Sequence, residues 1–183
     1  MCGIVGYVGN REAQPILIDS MKRLEYRGYD SCGIALLLES GIQVFKDVVR
    51  VGKLERDLPR NPKGQMGIGH TRWATHGKPS QANAHPHLDC SGRIAVVHNG
   101  VIGNFLSLRE KLVAEGHVFN SETDTEVLPH LVEKHYQGDL EEAVQAALTE
   151  IRGSYAFIVL EVNSSLLVAV KKESPLILGV GDR

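Results

Sequence analysis

MCGIVGYVGN, residues 1–10, puts a cysteine directly behind the first methionine and then alternates apolar residues with glycine. Short and bounded by turn formers, GIVGYVG (3–9) reads as a buried strand. A thiol placed just ahead of ordered structure has two readings. Cys2 is a small residue packed at a strand start, as free cysteine usually is. Or, once Met1 is trimmed, it carries its own α-amine, whose ordinary pKa is about 7.7–8.0, beside a thiol of about 8.5. Nucleophile and base then arrive on one residue, the N-terminal-nucleophile arrangement.

Outward from that strand the periodicity changes. From Glu12 to about Tyr26, Leu17, Met21 and Leu24 share one helical face, and Gly28 is a stop. CGIALLLE (32–39) and QVFKDVV (43–49) read as two strands around Ser40-Gly41. MGIGHTR (66–72) and RIAVVHN (93–99) are two more buried strands. The stretch between them, RWATHGKPSQANAHPHLDCSG (72–92), is polar and long, and loops of that kind are often functional. After Asn104 a helix points Phe105, Leu108 and Leu112 inward and closes at Gly116. Thr123-Asp124-Thr125-Glu126 reads as a capping box opening a helix to about Tyr136, and Asp139 with Glu142 repeats the device for a helix facing Leu140, Val144, Leu148 and Ile151 inward. SYAFIVLEV (154–162), LLVAVKK (166–172) and LILGV (176–180) read as closing strands, with a turn at Asn163-Ser164. Hairpins outnumber βα units, which argues an α+β fold with antiparallel sheets.

Length and composition exclude several function classes. At 183 residues and 43% hydrophobic content the chain suits one globular domain spanning 1–183. Twenty Lys and Arg against 22 Asp and Glu give a net charge of −2 without a basic patch, so no nucleic-acid partner is expected. No apolar run approaches membrane-spanning length, no signal peptide is readable, and Cys2 lacks the hydrophobic segment that precedes a lipidated cysteine, so no membrane partner is expected. Three cysteines without a CxxC spacing argue against a disulfide framework and for a reduced, cytoplasmic setting.

Four further stretches carry chemistry. In HNG (98–100), the Asn99 amide and the Gly100 N–H form either an ordinary turn or an oxyanion hole at a strand end. In HTRWATHG (70–77), Arg72 either makes a structural pair or holds a carboxylate through its planar fork, with Thr75 and His76 adding short-range donors and Trp73 covering a small ligand. In SETDTEV (121–127), Asp124 either caps a helix or meets an ammonium group. His85-Pro86-His87 with Cys90 fits no standard zinc-ligand spacing, and no metal or other cofactor is expected. Together, a thiol–amine nucleophile, an oxyanion donor pair, a carboxylate binder and an ammonium binder are the parts needed to attack a small amino-acid amide.

These residues resemble the glutaminase domain of class II glutamine amidotransferases, within the N-terminal-nucleophile hydrolases. MCGIVGY, RLEYRGYDSCGIA, GHTRWATHGKPS, NAHPH, VVHNG, SETDTEV and IRGSYAF carry the resemblance in order over nearly the whole chain. RGYDS, HTRWATHG and SETDTEV favour the hexosamine-forming branch, the glutamine–fructose-6-phosphate aminotransferases, over amidophosphoribosyltransferases, which usually read RGQES and lack the RWATH loop. The resemblance implies a four-layer αββα fold. It implies that Cys2 attacks the side-chain amide of L-glutamine to give a thioester, with Asn99 and Gly100 holding the oxyanion. It further implies that Arg72, Thr75 and His76 bind the α-carboxylate, that Asp124 binds the α-amine, and that Trp73 lies on a closing loop. Arg27 and Gly28 match a segment that supports the nucleophile. Family members continue into a sugar-phosphate isomerase region that passes the ammonia to fructose 6-phosphate, so the chain is expected to be the glutaminase part of a longer, homo-oligomeric enzyme.

Overall fold

The computed structural model describes residues 2–60, 62–74 and 77–181. Among these residues, eight strands and five α-helices follow in the order β1 (Gly3–Val8), α1 (Ala13–Leu24), β2 (Ser31–Leu38), β3 (Gly41–Asp47), α2 (Val51–Asp57), β4 (Met66–Arg72), β5 (His87–Leu88), β6 (Ile94–Ile102), α3 (Phe105–Ala114), α4 (Val127–His135), α5 (Leu140–Glu150), β7 (Gly153–Glu161) and β8 (Val168–Lys172). The strands form two antiparallel sheets, ordered β1-β4-β2-β3 and β5-β6-β7-β8.

Period-two patterning sets the layers. In β6, Ala95 and Val97 face the other sheet while Ile94 and Val96 face helices; in β7, Ile158 and Leu160 face inward while Phe157 and Val159 face outward. A one-residue slip would exchange both sets, so the hydrophobic pattern fixes the register. Ala35, Met66 and Ile68 meet Ala95, Val97, Ile158 and Leu160 between the sheets. Leu17, Ile18 and Met21 of α1 and Val51 and Leu54 of α2 cover the outer face of the first sheet at Ile34 and Leu36. Leu112 of α3, Leu128 and Leu131 of α4, and Val144 and Ala147 of α5 cover the second sheet at Val96, Phe157 and Val159. The result is helix, sheet, sheet, helix: the expected α+β sandwich of four layers.

Several local expectations are corrected. α2 is a helix that periodicity missed, because seven residues with only Val51 and Leu54 buried carry too little pattern. LILGV (176–180) forms no strand: Ile177, Leu178 and Val180 are 93%, 86% and 91% exposed. Just before it, Glu173, at φ 65°, makes the last bridge to the sheet, with Tyr155. HNG does not end a strand, since β6 runs on to Ile102 and pairs Gly100 with Tyr155. The Thr123–Glu126 capping box is not formed either. Asp124–Glu126 is a single 3-10 turn ahead of α4, and Glu126 instead accepts the N–H groups of Asn120 (2.8 Å) and Ser121 (2.7 Å). The second box is formed, with Asp139 accepting from the Glu142 N–H at 3.0 Å. Among the described residues, no helix is long and apolar enough to cross a membrane.

Pairing also gathers the ends that matter. Gly3 lies opposite Thr71, which places Cys2 alongside Arg72 at the end of β4. The distal part of β6 reaches the same edge of the sandwich.

Candidate active site

Cys2 is held by backbone groups. Its Sγ accepts the Trp73 N–H at 3.2 Å and lies 3.5 Å from the Trp73 carbonyl. Its own carbonyl accepts from Asn99 Nδ2 at 3.1 Å and from Arg27 Nε at 3.3 Å, so two elements anchor the residue from different sides. Burial pushes the thiol above its ordinary pKa, while the Trp73 N–H pulls it down. Asp30 ties the following loop: it accepts the Ser31 hydroxyl at 2.9 Å and the Ala74 N–H.

The Asn99 amide is oriented from behind. His70 Nε2 lies 3.0 Å from Asn99 Oδ1 and 3.0 Å from the His98 carbonyl. Both are acceptors, so that ring nitrogen carries a proton. Nδ1 has no partner among the described residues and burial drives the pKa down to about 4, so the ring is neutral. With Oδ1 committed to His70, Nδ2 is the end that faces Cys2.

Gly100 follows at φ +126°, a conformation that disfavours a side chain, and a Cβ there would stand 2.1 Å from the Ser154 carbonyl oxygen. Gly28 is required by close approach: a Cβ would lie 2.7 Å from the Arg72 carbonyl carbon. Arg72 is buried and donates from Nη2 to the Gly77 carbonyl at 3.3 Å. Asp124 is buried too, and its Oδ2 accepts the Ile102 N–H at 2.8 Å, tying the 3-10 turn to the end of β6.

Cys2, Arg72, Trp73, Asn99, Gly100 and Asp124 all line one cavity, with His70, His85 and His98 among its other walls. Arg27 and Gly28 stand behind Cys2 and Trp73. Thr75 and His76 lie outside the described residues. The cavity is small, about 30 Å³. Trp73 in its lining is 45% exposed, and its indole packs edge-on to Tyr29 at 5.4 Å. A larger cavity of about 820 Å³ lies between β3 and residues 81–92, but neither Cys2 nor Asn99 reaches it. The chemistry, and not the volume, locates the site.

Beneath the site sits a layer of buried histidines. His70 and His85 stack at 4.0 Å between centroids, and His87 meets His85 at 4.7 Å. His98 Nδ1 pairs with Thr125 Oγ1 at 2.8 Å and His87 Nε2 with Thr123 Oγ1 at 3.1 Å. Burial lowers all their pKa values, His98 to about 3, and for His85, His87 and His98 the neighbouring rings add to the effect. His85 and His87 therefore belong to this neutral layer. Sequence reasoning missed His70 and Asp30. The available signal for His70 was a lone polar ring in a strand otherwise reading as buried.

A four-layer sandwich with a cysteine just ahead of the edge strand β1, sharing one cavity with a carboxamide, an arginine and an aspartate, has the architecture of the N-terminal-nucleophile amidotransferases. Residues 70–181 match the glutamine amidotransferase domain family, and this chain belongs to that family. It is 53% identical over its full length to a glutamine–fructose-6-phosphate aminotransferase (isomerizing) of Clostridium tetani and 54% identical to that of Symbiobacterium thermophilum, covering 30% of each. The chain thus spans about a third of the length of these relatives. Among solved structures, glutamine phosphoribosylpyrophosphate amidotransferase from B. subtilis superimposes with a TM-score of 0.75 at 27% identity, over 87% of this chain and 35% of that one.

Proposed function

We propose that residues 1–183 form the glutaminase domain of a longer, cytoplasmic, homo-oligomeric enzyme, hydrolysing L-glutamine and delivering the ammonia to fructose 6-phosphate bound in a sugar-isomerase region. The observation that carries this reading is the convergence of Cys2, Asn99, Arg72 and Asp124 on one cavity. The identity of 53–54% to the hexosamine-forming relatives favours that acceptor over the one served by the phosphoribosyl relative at 27%.

In this reading, removal of Met1 turns the Cys2 nitrogen from an amide into a free amine. That amine takes the thiol proton, and Sγ attacks the δ-carbonyl carbon of glutamine to form the C–S bond. Asn99 Nδ2 and the Gly100 N–H receive the oxyanion. Collapse breaks the C–N bond, and the Cys2 ammonium returns its proton to the departing nitrogen, which leaves as ammonia. Water, activated by the same amine, then cleaves the thioester to glutamate and regenerates the thiol. Arg72, with Thr75 and His76, holds the α-carboxylate and Asp124 the α-ammonium, so both ends of the substrate are fixed and the amide is delivered to Sγ. Trp73 moves with the loop that opens for substrate and then excludes water. Arg27 anchors the Cys2 carbonyl and Gly28 lets the Arg72–Trp73 backbone close on it. His70 is a positioning residue that fixes which end of the Asn99 amide faces the reaction.

Cys2→Ala is the direct test. Glutamate release should fall by on the order of 10⁴-fold or more, as loss of a covalent nucleophile does, with the far-UV circular dichroism unchanged. Turnover at the wild-type rate would overturn the assignment.

A further inference from the structure

A second thiol lies in different surroundings, outside the candidate active site. Cys90 sits in the turn between β5 and β6, His117 follows α3, and His130 and Glu133 are one turn apart on α4. Their ligating atoms, Cys90 Sγ, His117 Nδ1, His130 Nδ1 and a Glu133 carboxylate oxygen, all fall within 4.8 Å of one another. Cys90 Sγ is 3.6 Å from His117 Nδ1 and 3.5 Å from His130 Nδ1. Glu133 Oε2 is 3.0 Å from His117 Nδ1 and 3.4 Å from His130 Nδ1.

Those separations match the edges of a coordination tetrahedron. Zinc bond lengths of about 2.3 Å to sulfur and about 2.0–2.2 Å to nitrogen or oxygen give S–N edges of about 3.6 Å and N–O edges of about 3.4 Å. Three of the four measured edges agree within 0.1 Å; the His117–Glu133 edge is hydrogen-bond length and would open slightly. Hydrogen bonding alone accounts poorly for the arrangement. The same Glu133 oxygen already accepts the Cys90 N–H at 3.2 Å, and two imidazoles crowd onto it as well. His130 is 1% exposed and its Nε2 has no partner among the described residues, so Nδ1, aimed into the cluster, is its one polar engagement.

We propose that Cys90, His117, His130 and Glu133 form a tetrahedral zinc site. The ion binds with loss of the Cys90 thiol proton, so that thiolate and carboxylate together neutralise its charge. Four protein ligands leave no open position, which makes the site structural rather than catalytic. It clasps the turn leading into β6, which carries Asn99, to α4, which follows the Asp124 turn. Spacing along the chain does not reveal the site, because Cys90 lies near His85 and His87 in sequence but 27 and 40 residues from His117 and His130.

The test is metal analysis of the full chain purified without chelator and dialysed against metal-free buffer. The expected result is about one zinc per chain for wild type and less than about 0.1 for both Cys90→Ser and His117→Ala. Cobalt titration of the metal-stripped wild type needs no variant to fold. It should give tetrahedral d–d bands and a thiolate-to-cobalt charge-transfer band that saturate together at about one equivalent and disappear on adding zinc. Zinc content unchanged in both folded variants, or a cobalt spectrum that is octahedral and lacks the thiolate band, would overturn the proposal.

Discussion

Cys2 and Cys90 carry the same side chain and differ in what surrounds it. Among the described residues the Cys2 sulfur contacts only the backbone of Trp73, while a carboxamide and a guanidinium grip its carbonyl. The Cys90 sulfur contacts two imidazole nitrogens and the Val118 N–H, at 3.4 Å. The first setting is the one expected of the proposed nucleophile, with the Asn99 amide beside it. The second offers hard and borderline ligands arranged round a point. Cys32 supplies the contrast to both: buried in the outer core, it donates to the Val49 carbonyl at 3.1 Å, and burial pushes its pKa up to about 12, so it only packs. A thiol's role in this chain is set by its neighbours, not by its own chemistry.

The largest effect after loss of Cys2 itself should come from Asn99. Asn99→Ala removes one oxyanion donor and should lower kcat by about 10²–10³-fold while leaving zinc content at the wild-type level. A drop in zinc would mean that the two regions are coupled and the contrast between them is false. His70 should matter less and through Asn99. His70→Leu should lower kcat by roughly 10-fold with KM little changed, whereas His70→Gln, which keeps a donor, should recover most of it. Equal losses in the two variants would show that the ring is only packing.

The smallest effect is on stability against acid. His70 and His98 have pKa values of about 4 and about 3 in the folded state, against about 6.5 when unfolded. Between those values the unfolded chain binds more protons, so stability rises with pH, is complete above about pH 6.5 and is lost as pH falls towards the folded values. From pH 7.5 to 5.5 each of the two should cost about 1.3 kcal/mol, set by the unfolded pKa alone because 5.5 lies above both folded values. Urea unfolding at the two pH values, with chelator present so that metal release does not contribute, measures this. A flat profile would contradict the neutral histidine layer.

Much of this was legible in the chain because it is local. β6 and β7 alternate cleanly, so their faces follow from the residues. The hairpin at Ser40-Gly41 has its turn former in place, with Leu38 paired to Gly41. Cys2, Arg72, Asn99 and Asp124 stood out by residue type beside strand ends and turns. What was not legible depends on distance. His130 and His117 are 40 and 27 residues from Cys90, and only the His130–Glu133 spacing is local, so no ligand pattern could be read. His70 acts through a residue 29 positions away. LILGV has the composition of a strand, but it pairs with no other strand among the described residues and its Ile177, Leu178 and Val180 stay exposed.

The whole proposal turns on Cys2, freed of Met1, being the nucleophile. The most direct measurement is intact mass and peptide mapping of the full chain before and after treatment with a diazoketone analogue of glutamine. The expected result is a mass lacking methionine and a single adduct, located on Cys2 and prevented by excess glutamine. A methionine-free chain that takes no label, or takes it at Cys32 or Cys90, would contradict it.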